Sequence, residues 1–333
     1  MLGFRDLGRL LSRAQSVRWR GSLADAGENR VVATLTRSGA AALRARPTPR
    51  GGRRRSFEPL PGSRGRYGAI VGGVNLRPYL DLAVQTAYEA GRLTLGYFRT
   101  EAARPEFKPD DTPVTAADRE AERIIRARIR ARYPGHAVVG EEYGEEEGTD
   151  RDHRWIVDPI DGTKAFVRGV PLYGVLIGLE VEGVCEVGAA YFPALDEMVC
   201  AASGEGCYCN GRRVRVATTE KLSEGIVSFT DAASFEEHGR KGAWERLLAA
   251  ASHGRGWSDA YGHALVATGR AELMLDPVMN FWDCGPFPPI LREAGGYFGD
   301  WSGNGGEIYA DEALSTTQGL LPEVLALIQQ DKP

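Results

Sequence analysis

One stretch limits what this chain can fold into more than any other: Trp155-Ile-Val-Asp158-Pro159-Ile160-Asp161-Gly162-Thr163. An apolar strand ends in an Asp, turns through Pro, presents a second Asp and enters a helix at Gly-Thr. Two carboxylates three residues apart at a strand end can converge on one point. Gly162 lets a bound group approach the backbone, and the free N–H groups that open the next helix suit an anion, phosphate above all. Hard carboxylates suit Mg²⁺. A cation and a phosphate side by side point to metal-assisted phosphoryl transfer to water. Taken alone, the same residues also read as a turn at Asp161-Gly162 and a cap at Asp158.

Two further acidic places weigh against the bare turn. Gly140-Glu141-Glu142 follows the apolar pair Val138-Val139 and so sits at another strand end. Trp282-Asp283 opens a helical segment that closes with Glu293-Ala294-Gly295-Gly296. By themselves Glu141 and Glu142 read as surface charge, and the run Glu145–Glu147 beside them reads as a solvated loop.

The surrounding sequence alternates helical and strand patterns. Leu76, Leu80, Val84, Ala87, Ala90, Leu93 and Tyr97 recur at steps of three or four and predict a helix. A second helix is predicted from about Pro113 to Tyr133, with Thr115 as N-cap and Asp118 in the first turn, where an acid also suits the helix dipole. The runs 155–158, 172–180, 184–191 and 198–202 predict strands, and Asn210-Gly211 a hairpin turn. Beyond about residue 221, helices are predicted at 242–252, 260–268 and 286–294 around a strand at 273–276, Gly295-Gly296 closing the last. The expected fold is α/β (α+β), split into residues 74–220, carrying Glu141 and the Asp-Gly-Thr stretch, and residues 221–333, carrying Asp283.

Charge divides the 333 residues unevenly. Residues 1–73 hold 15 Arg, no Lys and four acids, a net of +11, whereas the remainder carries 26 basic and 41 acidic side chains, a net of −15. The leader reads as a basic disordered extension, as an organellar transit peptide, or as an upstream addition from a misplaced start. An acidic body is a poor duplex-DNA binder and a suitable home for divalent cations. No apolar run reaches the roughly 18 residues of a membrane-spanning helix. Five Cys make no disulfide framework, so a reducing compartment, the cytoplasm by default, is expected.

Gly140-Glu141-Glu142, Asp158-Pro-Ile-Asp-Gly-Thr163 and Trp282-Asp283 with Glu293-Ala-Gly-Gly296 resemble, in order, three signatures of the inositol monophosphatase superfamily, over roughly residues 76–330. Asp110-Asp-Thr-Pro-Val-Thr115-Ala-Ala-Asp118 resembles that family's upstream segment. The resemblance implies a layered αβαβα sandwich, a homodimer, and Mg²⁺-dependent hydrolysis of a small phosphate monoester with two or three cations per site. It implies that Glu141, Asp158, the carbonyl of Ile160, Asp161 and Asp283 hold the metals, Asp158 bridging two. Gly162 and Thr163 would offer N–H groups to the phosphate, and Thr163 with Asp118 would orient or deprotonate the attacking water. Ile160, Asp161 and Asp283 would also border the substrate.

Asp161-Gly-Thr-Lys164-Ala-Phe166-Val-Arg-Gly169-Val-Pro171, Arg255-Gly-Trp-Ser-Asp259-Ala-Tyr261-Gly262 and Pro286-Phe-Pro-Pro289-Ile290 resemble the histidinol-phosphatase branch. Histidinol phosphate carries an ammonium and an imidazole, which Asp259 and Asp276 could face while Arg255 clamps phosphate or orients the acids. A plain ion pair of Arg255 with Asp259 is the bland reading. An inositol 1-phosphate or broad sugar-phosphate phosphatase is the alternative substrate class, and an inactive regulatory or RNA-binding homologue the alternative of another kind. Cys207 and Cys209 read as packing residues, the five His show no metal-ligand spacing, and His263 reads as a hydrogen-bonded structural residue.

Overall fold

The computed structural model describes residues 70–71, 74–108 and 112–331. Nearly all of the basic leader, and Asp110 with Asp111 of the upstream segment, lie outside the described residues.

A short pairing of β1 (Ile70–Val71) with β2 (Val74–Asn75) leads into helix α1 (Arg77–Tyr97). Strand β3 (Glu106–Phe107) pairs with β4 (Pro113–Val114), and α2 (Ala116–Arg132) follows. The helix expected from Pro113 thus starts three residues later. Proline lacks the N–H a helix interior needs and here sits in a strand, while Thr115 caps the helix with its hydroxyl and Asp118 completes a capping box.

The larger sheet is built from β5 (His136–Gly140), β6 (Gly144–Glu146), β7 (Asp150–Asp161), β8 (Gly174–Val181), β9 (Val184–Phe192), β10 (Glu197–Ala202), β11 (Gly206–Cys209) and β12 (Arg212–Arg213), with helix α3 (Thr163–Val167) between β7 and β8. Its order is β12-β11-β10-β9-β8-β7-β5-β6, and β5 and β7 run parallel. The acidic run expected to be a solvated loop is partly strand: β6 spans Gly144–Glu146 because its backbone pairs with β5, and Glu146 takes an ion pair from Arg130.

The second sheet has the order β14-β13-β15-β17-β16, formed by β13 (Ile226–Phe229), β14 (His253–Gly256), β15 (Leu273–Asp276), β16 (Gly296–Gly299) and β17 (Ala313–Thr317). Its helices are α4 (Ser234–Glu237), α5 (Lys241–Ala250), α6 (Asp259–Ala267), α7 (Phe281–Cys284), α8 (Phe287–Ala294) and α9 (Leu321–Ile328). The single helical segment expected from Trp282 to Ala294 is two helices, broken at Gly285-Pro286, where the proline ring cannot continue the hydrogen-bond ladder.

Alternation along β7 explains the layering. Trp155 and Val157 face one way and pack with Leu80, Ala87, Ile125 and Ile129 of α1 and α2. Ile156 faces the other way, with Ala264 of α6 and Phe287, Ile290 and Leu291 of α8, against which Met274 and Phe298 of the second sheet also pack. A third cluster joins the outer face of that sheet to Leu247 of α5 and Val324 of α9. The result is an αβαβα sandwich in which each fully buried aliphatic side chain contributes roughly 1.5–3 kcal/mol.

Two paired glycines set the closest approach. Gly178 and Gly188 are register partners on β8 and β9. A Cβ on Gly178 would stand 2.6 Å from the Gly285 carbonyl carbon, and one on Gly188 would collide with the Pro286 carbonyl. Bare backbone there lets the α7–α8 junction lie directly on the sheet.

Candidate active site

The acidic residues meet where the parallel strands end. Gly140 of β5 is in register with Val157 of β7, so Glu141 leaves its strand beside Asp158, and the Glu141 N–H donates to the Val157 carbonyl at 3.3 Å. Ligands gathering at the carboxyl ends of parallel strands is the general rule for such sheets. The strand that was expected to stop at Asp158 continues to Asp161, with its pairing to β8 irregular between those two residues. In that irregularity the Ile160 N–H donates to Asp158 Oδ1 at 2.9 Å, which turns Asp158 and Asp161 towards one point. Asp283 arrives from the opposite side in the first turn of α7, in a capping box with Asn280.

Asp158, Asp161 and Asp283 each offer a carboxylate oxygen within 4.8 Å of the others. Burial pushes the Asp158 carboxyl well above its ordinary range, and the charges of Glu141, Asp283 and Asp161 push it further. Asp161 is raised likewise by burial, then by Asp259 and Asp283. Asp283 is pushed up to about 7, by burial first and by Glu141 after the Asn280 hydrogen bond that opposes it. Carboxylates this close repel one another when all are ionised, so protons or a cation must offset their charge. Hard, crowded and buried oxygen donors of this kind fit a hard divalent cation. A cation already stands on Glu141: Lys108 Nζ lies 2.7 Å from Glu141 Oε1 and 2.8 Å from Glu142 Oε1.

Asp118 is fully buried and accepts both the backbone N–H of Thr115, at 2.8 Å, and its hydroxyl, at 2.5 Å. Its other oxygen faces the Thr163 hydroxyl at 3.4 Å, while the same hydroxyl lies 3.0 Å from the Ile160 carbonyl. Burial raises the Asp118 carboxyl to about 6 against the opposing Thr115 hydrogen bonds. Gly162 opens α3 in the left-handed region at φ +75°, a conformation a side chain would strain.

Beyond Gly162 lies a second acidic pair. A Cβ on Gly162 would stand 2.7 Å from Asp259 Oδ2. Asp259 accepts the Ser258 hydroxyl at 2.5 Å, and Ala260 N–H donates to Asp161 Oδ2 at 3.0 Å, tying the start of α6 to the carboxylate cluster. Burial raises the Asp259 carboxyl, and Asp276 at the end of β15 raises it further. Arg255 is placed otherwise. It sits on edge strand β14, exposed, its guanidinium on the Gly254 carbonyl at 2.7 Å, and among the described residues it makes no ion pair with Asp259.

Sequence reasoning missed several residues that build the site. Lys108 carried one signal: it is one of only five lysines in a chain of 41 basic residues. Glu122, one helical turn after Asp118, is fully buried and accepts the N–H groups of Glu142 at 2.8 Å and Tyr143 at 3.3 Å. Away from the site, at the opposite end of β5, His136, Asp150 and His153, which no ligand spacing joins, also converge, their three donor atoms lying within 4.8 Å of one another. That cluster is poorly suited to a metal. The Trp155 indole N–H donates to His136 Nδ1 at 3.1 Å, which leaves the imidazole proton on Nε2, the nitrogen facing Asp150. The cluster is a stack, with the two imidazoles 4.5 Å apart and Tyr79 against both.

Residues 75–332 match the model of the inositol monophosphatase family. A histidinol-phosphatase of Chlorobaculum parvum is 42% identical over 253 residues, covering 76% of this chain and 97% of the relative. An inositol-1-monophosphatase of Mesorhizobium japonicum is 35% identical over 245 residues, 71% of this chain and 92% of the relative. The solved structure of the extragenic suppressor protein suhB from Bartonella henselae superposes with a TM-score of 0.71 at 29% identity, over 76% of this chain and 99% of that one. No helix among the described residues is long and apolar enough to cross a membrane.

Proposed function

The chain belongs to the inositol monophosphatase family, a metal-dependent family of phosphoric monoester hydrolases, and from that premise we propose that it is a Mg²⁺-dependent phosphatase releasing L-histidinol from L-histidinol phosphate. Glu141, Asp158, Asp161, Asp283 and the Ile160 carbonyl are the groups that would hold the cations. When bound, Mg²⁺ supplies positive charge against the phosphate and acidifies water.

The remaining work falls to the chain's own groups. The N–H groups of Gly162 and Thr163 bind and orient the phosphate. Thr163 Oγ, placed between the Ile160 carbonyl and Asp118, positions the attacking water, and Asp118 takes its proton. A carboxyl raised to about 6 is matched to that task, since it is ionised at neutral pH yet basic enough to accept a proton. As the new P–O bond forms, the bond to the alcohol oxygen breaks; that oxygen takes a proton from a second water, and the hydroxide so formed takes back the proton held by Asp118, which restores the carboxylate.

The observation that carries the choice of substrate is the acidic pair Asp259 and Asp276 beside the phosphate end of the site. Asp276 is buried and Asp259 half-buried, with only Lys164 among the described residues acting on Asp259 as a cation, so the pair favours a further cationic partner, and the alcohol of histidinol phosphate supplies one. The identity with a protein named histidinol-phosphatase supports the same reading, while the inositol-1-monophosphatase relative favours inositol 1-phosphate as the second. Steady-state kinetics with Mg²⁺ separates them. We expect kcat/KM for histidinol phosphate to exceed that for inositol 1-phosphate by roughly a hundredfold or more, the discrimination a site built for polar groups can give. Equal values would favour the broader phosphatase.

A further inference from the structure

The acidic pair is supported from behind by groups that no step above uses. His263 on α6 and Ser315 in the middle of β17 are both fully buried. His263 Nδ1 lies 2.7 Å from Ser315 Oγ, and Nε2 lies 3.3 Å from Asp276 Oδ2. The rings of Phe287 and Phe298 enclose the imidazole, with centroids 5.1 and 5.4 Å away. Among the described residues, His263 is the one hydrogen-bond partner of the Asp276 carboxyl and of the Ser315 hydroxyl.

This chain of three groups has one arrangement that satisfies every proton. An ionised Asp276 only accepts, so His263 carries a proton on Nε2. The Ser315 hydroxyl then donates to a bare Nδ1. An imidazolium would put a second N–H against Ser315 and leave the hydroxyl proton without an acceptor in an apolar surrounding, a costly state. Ser315 therefore fixes the tautomer, and the neutral ring orients Asp276 without cancelling its charge.

We propose that Ser315 and His263 form a buried positioning relay that holds Asp276 as a fully charged, fixed acceptor, and that this charge makes the pocket select phosphate esters whose alcohol bears a cation. The relay acts beside Asp259 and Asp161, both of which lie within electrostatic reach of Asp276. The selectivity half of the proposal rests on the phosphatase reading above; the tautomer half does not.

Two measurements on the full-length Mg²⁺-loaded enzyme test it. Spectra of ¹⁵N-labelled imidazole should show His263 as the neutral Nε2–H form at pH 7, and Ser315→Ala should loosen that preference. Kinetics should compare histidinol phosphate with a neutral ester, glycerol 2-phosphate. His263→Leu and Ser315→Ala should lower the ratio of their kcat/KM values about tenfold or more, mainly through KM for the cationic ester. His263→Gln, whose terminal amide can still donate to Asp276, should recover most of the ratio.

A His263 that is an imidazolium or an Nδ1–H tautomer overturns the relay, whatever the substrate. A ratio that stays within about twofold of wild type in folded Ser315→Ala overturns the selectivity. Wild-type enzyme with no preference for the cationic ester defeats the histidinol phosphate reading and the selectivity together, and the tautomer measurement still decides whether the relay exists.

Discussion

Glu122 accepts the backbone N–H of Glu142 at 2.8 Å and thereby fastens the turn that carries Glu141. The same carboxylate takes the Arg126 Nε at 2.8 Å, and both charges are buried. One helix face thus supplies Asp118 to the site and, a turn later, the clamp that positions an expected metal ligand. Glu122→Ala should cost about 3 kcal/mol, because it removes the nearest carboxylate from the buried Arg126, leaving Glu146 at 3.6 Å, and frees two N–H groups. Glu122→Gln keeps an acceptor and should cost less, while still weakening Mg²⁺ binding about tenfold or more. Denaturant titration and calorimetry with Mg²⁺ check both; unaltered Mg²⁺ affinity in the Gln variant would show that the turn needs no clamp.

Gly162→Ala tests the phosphate end. The residue sits at φ +75°, where a side chain costs roughly 1–2 kcal/mol, and its Cβ would meet Asp259 at 2.7 Å. The protein should fold with lowered stability and lose turnover about a hundredfold, since a misplaced phosphate is no longer in line with the water. Full activity in that variant would exclude close approach of substrate to this backbone.

Asp161→Asn removes one of the mutually repelling buried acids. The metal-free protein should melt at the same or a higher temperature than wild type, whereas the rise in Tm on adding Mg²⁺ and most of the turnover should vanish. A Tm rise equal to wild type would remove Asp161 from the metal-binding set.

The raised carboxyls make a pH prediction of definite sign. Asp283, raised from 3.8 to about 7, holds a proton in the folded chain that the unfolded chain releases, so metal-free stability falls as pH rises between those values. Asp118, raised to about 6, adds to the fall up to that pH. His136, lowered from 6.5 to about 4 by burial, acts in the opposite sense, its contribution being lost as pH falls through that range. The gap in Tm between Mg²⁺-loaded and EDTA-treated protein isolates the acids near the cation, and it should widen from about pH 5 to about pH 8. A gap that narrows would mean that the carboxyls are not held protonated by one another.

What the sequence determined by itself is local. The apolar period of 76–97 predicts α1, which spans Arg77–Tyr97, and Thr115 is the N-cap that its type and place predict for α2, although the helix itself is expected from Pro113. Asp158-Pro-Ile-Asp-Gly-Thr predicts carboxylates at a strand end before a helix, because strand, turn and cap preferences act over a few residues. Tertiary structure decided everything that depends on which strands are neighbours. Glu141 leaves its strand beside Asp158 only because β5 and β7 are parallel partners, and Asp283 joins Asp158 and Asp161 only because Gly178 and Gly188 admit the α7–α8 junction. Lys108 on Glu141, Glu122 under the 140–143 turn and Ser315 behind His263 are each brought together from elements far apart in the chain. Buried charges must find partners wherever packing offers them, and packing is a property of the assembled layers, with no counterpart in residue spacing.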